Sequence, residues 1–474
     1  MTDLIENRTY DEIQVGDSAS VVRVLSRQDI ELFAIMSGDV NPAHLDDEYA
    51  KDSMFHGIIA HGMWGGALIS TVLGTKMPGP GTIYLGQDLS FRRPVSVDDT
   101  ITVTVTAKEK QDDKKIVIFD CKATNQDGKD VILGVAKVIA PSEKISRPRV
   151  VLPEVQVMRH ERHNALLARC QFLDPVKTAV VHPCDVSSLT GAIEAASKGL
   201  IEPILVGPED KIRAVAAAQK LDIGSYRIVS VEHSHAAAEV AVALAKNGEV
   251  NALMKGSLHT DELMGAVVKR ENGLRTDRRI SHVFVMDVPT YTWPLLITDA
   301  AINVTPGLEE KKDICQNAID LAHYLGIENP KVAILAAVET VNPAMPSTID
   351  AAALCKMADR GQITGGTLDG PLAFDNAISV EAARTKGIVS PVAGHAQILL
   401  VPTLEAGNMV AKQLSYLAEA DGAGIVLGAR VPIILTSRAD GVRSRLDSCA
   451  IALLTAHGQR AKLEAKREQQ LKKG

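Results

Sequence analysis

The chain has 474 residues, of which 46% are hydrophobic, 23% charged and only 3% aromatic, with a formal net charge of −7. That balance excludes a disordered chain, supplies apolar cores for about two to four domains, and argues against a general nucleic-acid binder, whose surface would be basic. The six cysteines (Cys121, Cys170, Cys184, Cys315, Cys355 and Cys449) show no CxxC spacing, so they read as reduced thiols rather than a disulfide frame or a zinc site. Met1–Tyr10 is polar and acidic, unlike a secretory leader, and no uncharged apolar stretch reaches the roughly 18 residues of a membrane span. A soluble, cytoplasmic protein is expected, with no nucleic-acid or membrane partner.

In chain order, Ser26-Arg-Gln-Asp29 reads as a helix N-cap, with Ile30, Phe33 and Ala34 at helical spacing and Gly38 as the stop. The segment Ser37-Gly-Asp39-Val-Asn41-Pro42-Ala-His44 follows. Pro42 lacks an N–H and drives Asn41 out of the helical region, so Asp39 and His44 are expected on a bent, rigid loop rather than a regular helix. A carboxylate and an imidazole held this way can grip a water molecule between them. Asp39 as a plain turn cap is the competing reading. His61-Gly62 then opens a small-residue apolar helix over Met63 to Leu73, whose first N–H groups are free to face a carbonyl oxygen. Thr100–Thr106 alternates with period two, placing Ile101, Val103 and Val105 on one face. Lys115–Lys122 and Asp130–Ile139 give two further strands around the Asn125–Gly128 turn.

From about Ile13 to Ile139 these features resemble the MaoC-like, (R)-specific enoyl-CoA hydratases, including the run Pro78 to Val95 that follows the central helix. The resemblance implies an α+β hot-dog fold, an antiparallel sheet around a central helix. It also implies water addition to a trans-2-enoyl-CoA by Asp39 and His44, an oxyanion-hole N–H from Gly62, and Ser70 near the site.

Residues 1–145 are therefore read as the first domain, and 146–156, polar and proline-bearing, as a linker. From 157 to 474 the grammar is α/β: short apolar strands, such as Thr178–Val181, Ala252–Met254 and Ile433–Leu435, alternate with alanine-rich helices. A mostly parallel sheet in two lobes is expected. Three clusters follow apolar strands, where parallel sheets present ligands. They are Asn251 to Thr260 (with Lys255 and, soon after, Arg275), Gly370 to Ala377 with Val401 to Asn408, and Thr436-Ser437-Arg438-Ala-Asp440 leading to Arg445. Hydroxyls, glycine amides and arginines suit a phosphate-bearing substrate, because the guanidinium fork stays charged and binds bidentately.

These clusters resemble the phosphate acetyltransferases and phosphate butyryltransferases over about Val157 to Ala456. The likeness implies an isocitrate/isopropylmalate dehydrogenase-like two-lobed fold. The implied reaction converts acyl-CoA and phosphate to acyl phosphate and CoA, with Ser437-Arg438 at the phosphate and CoA site. Lys255, Arg275 and Asn408 are taken as substrate-binding, CoA thioesters and phosphate as substrates, and no cofactor or metal as tightly bound. Ser444 stands where many acetyltransferases carry an aspartate proposed as base. That leaves the base unassigned and keeps a non-catalytic, acyl-CoA-binding regulatory module as the alternative for this half. A homo-oligomer, dimer or higher, is implied by both resemblances.

Among weaker signals, Gly422–Gly428 has GxGxxxG spacing after a helix, which argues against a dinucleotide site. His163, with the Arg159–His163 run, and His233/His235 read as solvated or capping histidines, not zinc ligands.

Overall fold

The computed structural model describes residues 4–153, 155, 161–436 and 441–471. The chain forms two compact units, Met1–Arg159 and His160–Gly474. No helix among the described residues is long and apolar enough to cross a membrane.

In the first unit, β1 (Leu4–Glu6) is followed by β2 (Ser18–Val24), α1 (Arg27–Ser37), α2 (Pro42–Leu45), α3 (Asp47–Asp52) and α4 (Gly62–Thr75). Then come β3 (Ile83–Phe91), β4 (Thr100–Gln111), β5 (Ile116–Thr124), β6 (Asp130–Ile139) and β7 (Ser146–Pro148). An antiparallel sheet in the order β2-β4-β5-β6-β3 backs α4, which is the hot-dog arrangement. The period-two alternation in β4 sends Ile101, Val103, Val105 and Ala107 into the core. They meet Trp64, Ile69, Val72 and Leu73 of α4 there. Met63, Ala67 and Ser70 leave the other stripe of that helix exposed, so it is less completely enclosed than its composition suggests. Gly134 permits the close β3–β6 pairing, since a Cβ there would lie 2.1 Å from the Asp88 carbonyl oxygen. Ser146–Pro148, at the start of the expected linker, pairs antiparallel with Leu4–Glu6.

The second unit is built on one eleven-stranded sheet. Its strands are β8 (Val176–Val181), β9 (Ile201–Gly207), β10 (Ile228–Ser230), β11 (Ala252–Lys255), β12 (Ser281–Asp287) and β13 (Leu295–Thr298), continued by β14 (Lys331–Leu335), β15 (Thr367–Leu372), β16 (Ile398–Leu400), β17 (Asp421–Leu427) and β18 (Ile433–Ile434). The order is β10-β9-β8-β11-β18-β17-β12-β13-β16-β14-β15. Helices cover both faces of the apolar strands, with core clusters on either side.

The glycine-spaced Gly422–Gly428 segment is itself most of β17, a central strand hidden from sequence reading by its small residues. The sheet is mostly parallel, as expected. The pairings β18/β17, β17/β12 and β12/β13 are antiparallel, and the remaining seven are parallel. The direction therefore reverses through the middle of the sheet. Strands β8, β11 and β18 run one way and β13, β14, β15 and β16 the other, so their carboxyl ends emerge at opposite edges.

Candidate active sites

The first site begins at the C-terminus of α1. Gly38 adopts φ +75°, the left-handed conformation that glycine takes without a Cβ penalty, and its N–H bonds Ala34 O. The chain then turns. Asp39 Oδ1 accepts from Asn41 N at 3.2 Å, and Asn41 Oδ1 accepts from Ala43 N at 3.1 Å. Asn41 is thereby the N-cap of α2, a single turn with Pro42 at its first position. The expectation of no regular helix between Asp39 and His44 is thus corrected. Proline is disfavoured inside a helix but suits N1, where its missing N–H has no intrahelical partner to lose. Asn41 itself, at φ −56° and ψ 128°, is non-helical as expected.

This turn carries His44 to a buried position, where Nδ1 lies 2.8 Å from the Ile59 carbonyl oxygen. A carbonyl can only accept, so Nδ1 bears the proton and Nε2 keeps its lone pair. Asp39 is exposed, with its carboxylate available to a ligand. Gly62 is the first residue of α4 and is exposed. Its N–H has no carbonyl one turn behind it to bond, so it is a donor for an anionic oxygen. Ser70 lies two turns further along the exposed stripe of α4, and no hydrogen bond joins it to Asp39 or His44.

His61 is the residue that sequence reading missed. It is 3% exposed and its Nε2 lies 3.0 Å from the Asp39 carbonyl oxygen. Its ring stacks on His44 with centroids 3.9 Å apart and on Phe33 at 5.0 Å. Its Nδ1 is buried without a hydrogen-bond partner. The available signal was a histidine immediately before the helix-opening glycine. Asp39, His44 and His61 each offer a ligand atom within 4.8 Å of the other two, so among the described residues this trio has the composition to hold a cation.

In the second unit, Ser437 and Arg438 lie outside the described residues. In the parallel pairing of β11 with β18, Met254 stands opposite Ile434, which puts Lys255 beside the chain entering Thr436. Lys255 is 7% exposed rather than solvated, with Nζ 3.4 Å from Gly256 O. Thr436 is buried, and its Oγ1 accepts from Arg445 Nη1 at 3.2 Å. Arg445, 4% exposed, packs against Gly191, where a Cβ would come within 2.7 Å of Arg445 Cδ. At the same edge His182 follows β8, and Asp185 caps the helix Val186–Ser197 through Ser188 N at 2.7 Å. Hydrogen bonds from Ser188 and Ser257 hold the Asp185 carboxyl below its usual range although burial alone would raise it.

Arg275 and Asn408 are not brought to this edge. Arg275 bridges Ala429, just past β17, whose antiparallel pairing with β18 places it at the amino end of β18. Asn408 donates to Ala300 O, just past β13, which runs in the same direction as β17. Arg275 lines a cleft of about 660 Å³ with Arg278, Arg279 and Lys312. Those three cations are already paired, with Asp320, Glu310 and Glu309 respectively. Of the weaker histidine signals, His233 does cap a helix, accepting from Ala236 N at 3.2 Å. His163 instead forms a half-buried pair with Asp447 at 2.5 Å.

Comparison with known proteins fits this division. The family model for the MaoC-like domain matches residues 12–126, and the model described as phosphate acetyl/butaryl transferase matches residues 232–453. A phosphate acetyltransferase of Rhizobium meliloti is 66% identical over 300 residues, 63% of this chain and 95% of the relative. The chain belongs to the phosphate acetyl/butyryl transferase family. It carries a MaoC-like hydratase domain fused ahead of that region. A phosphate butyryltransferase of Clostridium acetobutylicum is 42% identical over 62% of this chain and 97% of the relative. The structure of an R-hydratase from Pseudomonas aeruginosa is 43% identical, covering 33% of this chain and 100% of that one, with a TM-score of 0.32.

Proposed function

We propose that the protein is a bifunctional enzyme acting on CoA thioesters, with an (R)-specific enoyl-CoA hydratase in the first unit and a phosphate acyltransferase in the second. The observation that carries the first assignment is the tautomer of His44, fixed by Ile59 O so that Nε2 is a base beside the Asp39 carboxylate. Asp39 and His44 bind one water, His44 Nε2 removes its proton as oxygen attacks C3 of the enoyl thioester, and a proton is returned to C2. The Gly62 N–H meets the thioester oxygen as negative charge develops there, and Ser70 lies on the wall beside the acyl chain.

For the second unit, family membership and the buried Lys255, Thr436 and Arg445 at one edge of the sheet support acyl transfer between CoA and phosphate. Arg438 grips the phosphoryl group bidentately and Ser437 bonds it. The 66% identity to an acetyltransferase supports acetyl as the first acyl group to assay, and butyryl as the second. Arg275 and Asn408, at the other edge, are assigned to CoA binding; Arg275→Ala raising the CoA KM is the check. The linker, expected at 146–156, is proposed within 149–156 because Ser146–Pro148 pairs with Leu4–Glu6, and a homo-oligomer is proposed as the assembled form.

The experiment is hydration of crotonyl-CoA together with phosphate-dependent release of CoA from acetyl- and butyryl-CoA, in the wild type and in Asp39→Asn. The amide cannot act as the carboxylate does, so hydration should fall by about 10²–10⁴ while acyl transfer is unchanged. Loss of both activities in a folded variant would overturn the two-site reading.

A further inference from the structure

Ser444 stands on the helix Val442–Leu471 and offers no carboxylate as base. The edge of the sheet at which β8 and β11 end contains another group suited to that task. His182 is anchored through both its backbone and its ring. Its N–H reaches Val206 O at 2.7 Å, its carbonyl accepts from Ser257 N at 2.8 Å, and its Nδ1 lies 2.8 Å from Ser257 O. Gly256 makes this stapling possible, because a Cβ there would fall 2.4 Å from Val181 O. The carbonyl partner fixes the proton on Nδ1 and leaves the Nε2 lone pair, which has no hydrogen-bond partner among the described residues. His182 also holds φ +56°, a left-handed conformation that is strained for a non-glycine residue and persists where the surroundings enforce it. By register, Val181 pairs with Lys255, so His182 leaves the sheet next to the buried lysine and one strand further from Thr436.

We propose that His182 is the general base of acyl transfer, an assignment that rests on the acyl-transfer reading of the second unit. Nε2 takes the proton of the CoA thiol. The thiolate attacks the carbonyl carbon of the acyl phosphate, forming the C–S bond and a tetrahedral oxyanion. Collapse breaks the C–O bond to phosphorus, and the electron pair leaves on phosphate. In the opposite direction the imidazolium returns the proton to the departing thiolate.

The test uses the full-length chain, with acetyl phosphate or butyryl phosphate and CoA as substrates. His182→Asn accepts the left-handed φ and keeps a donor toward Ser257 O but has no base. Its kcat should fall about 10²–10⁴-fold with the CoA KM within roughly twofold. His182→Gly, which also accepts that φ, should regain part of the lost rate when imidazole is added. A wild-type rate in the Asn variant, a loss confined to the CoA KM, or an imidazole-insensitive Gly variant that still binds CoA would each overturn the assignment. A wild type that transfers neither acyl group would overturn the acyl-transfer reading itself, and is told apart because no variant is needed to see it.

Discussion

The rings of His44 and His61 stack at a centroid distance of 3.9 Å with their planes 34° apart. One histidine thus holds the other's plane while fastening the backbone of the facing acid, through Nε2 and the Asp39 carbonyl oxygen. His61→Phe would keep a flat ring between Phe33 and His44 but remove that bond. Hydration kcat should fall by about 3- to 10-fold, the equivalent of a net hydrogen bond of roughly 0.5–1.5 kcal/mol. Steady-state kinetics with crotonyl-CoA read the effect. A loss beyond a thousandfold would mean that His61 itself moves a proton.

Arg438→Lys keeps the charge but cannot offer two parallel N–H bonds to a phosphate. Acyl transfer should drop about tenfold to a hundredfold, corresponding to roughly 1.5–3 kcal/mol for a charge-assisted contact. The loss should appear in the phosphate KM, kcat or both, with crotonyl-CoA hydration unchanged. Wild-type phosphate kinetics in this variant would remove Arg438 from the site.

Burial pushes the His282 imidazole down to about 3, whereas in an unfolded chain it titrates near pH 6.5. Below about pH 6.5 the unfolded state therefore takes up a proton that the folded state refuses, and stability falls progressively toward pH 3. Above pH 6.5 the residue adds no pH dependence. Whatever its stability at neutral pH, His282→Gln should lose about 2 kcal/mol less than wild type between pH 7.5 and pH 5. Urea unfolding at the two pH values measures this. Coincident slopes would show that His282 is not held neutral.

Gly134→Ala would set a methyl 2.1 Å from the Asp88 carbonyl oxygen and 2.7 Å from Leu89 Cδ2. Because one of those atoms is backbone in a paired strand, β3 must move. Destabilisation of the first unit by about 1–3 kcal/mol is expected, read as an earlier thermal loss of hydratase activity with acyl transfer retained. An unshifted transition would mean that the β3–β6 pairing is looser than its register indicates.

Elements whose cause is local were legible in the amino-acid order alone. Ser26 caps α1, with Asp29 reaching back to it, and Gly38 ends that helix. The alternation of Ile101, Val103 and Val105 fixes the buried face of β4. The Asp39–His44 motif was legible because an Asx turn and a proline at N1 act over only a few residues. Tertiary structure alone decided what depends on contacts between distant segments. The tautomer of His44 is set by Ile59 across |i−j| = 15, and the place of His61 by a carbonyl 22 residues away. The glycine-rich β17 became a central strand only through its neighbours β12 and β18, since its small side chains carry little strand signal of their own. That strand, with β12, reverses the direction of the sheet, which puts Lys255 and Thr436 at one edge and Arg275 and Asn408 at the other. Strand direction comes from pairing geometry between segments far apart in the chain, and residue type does not encode it.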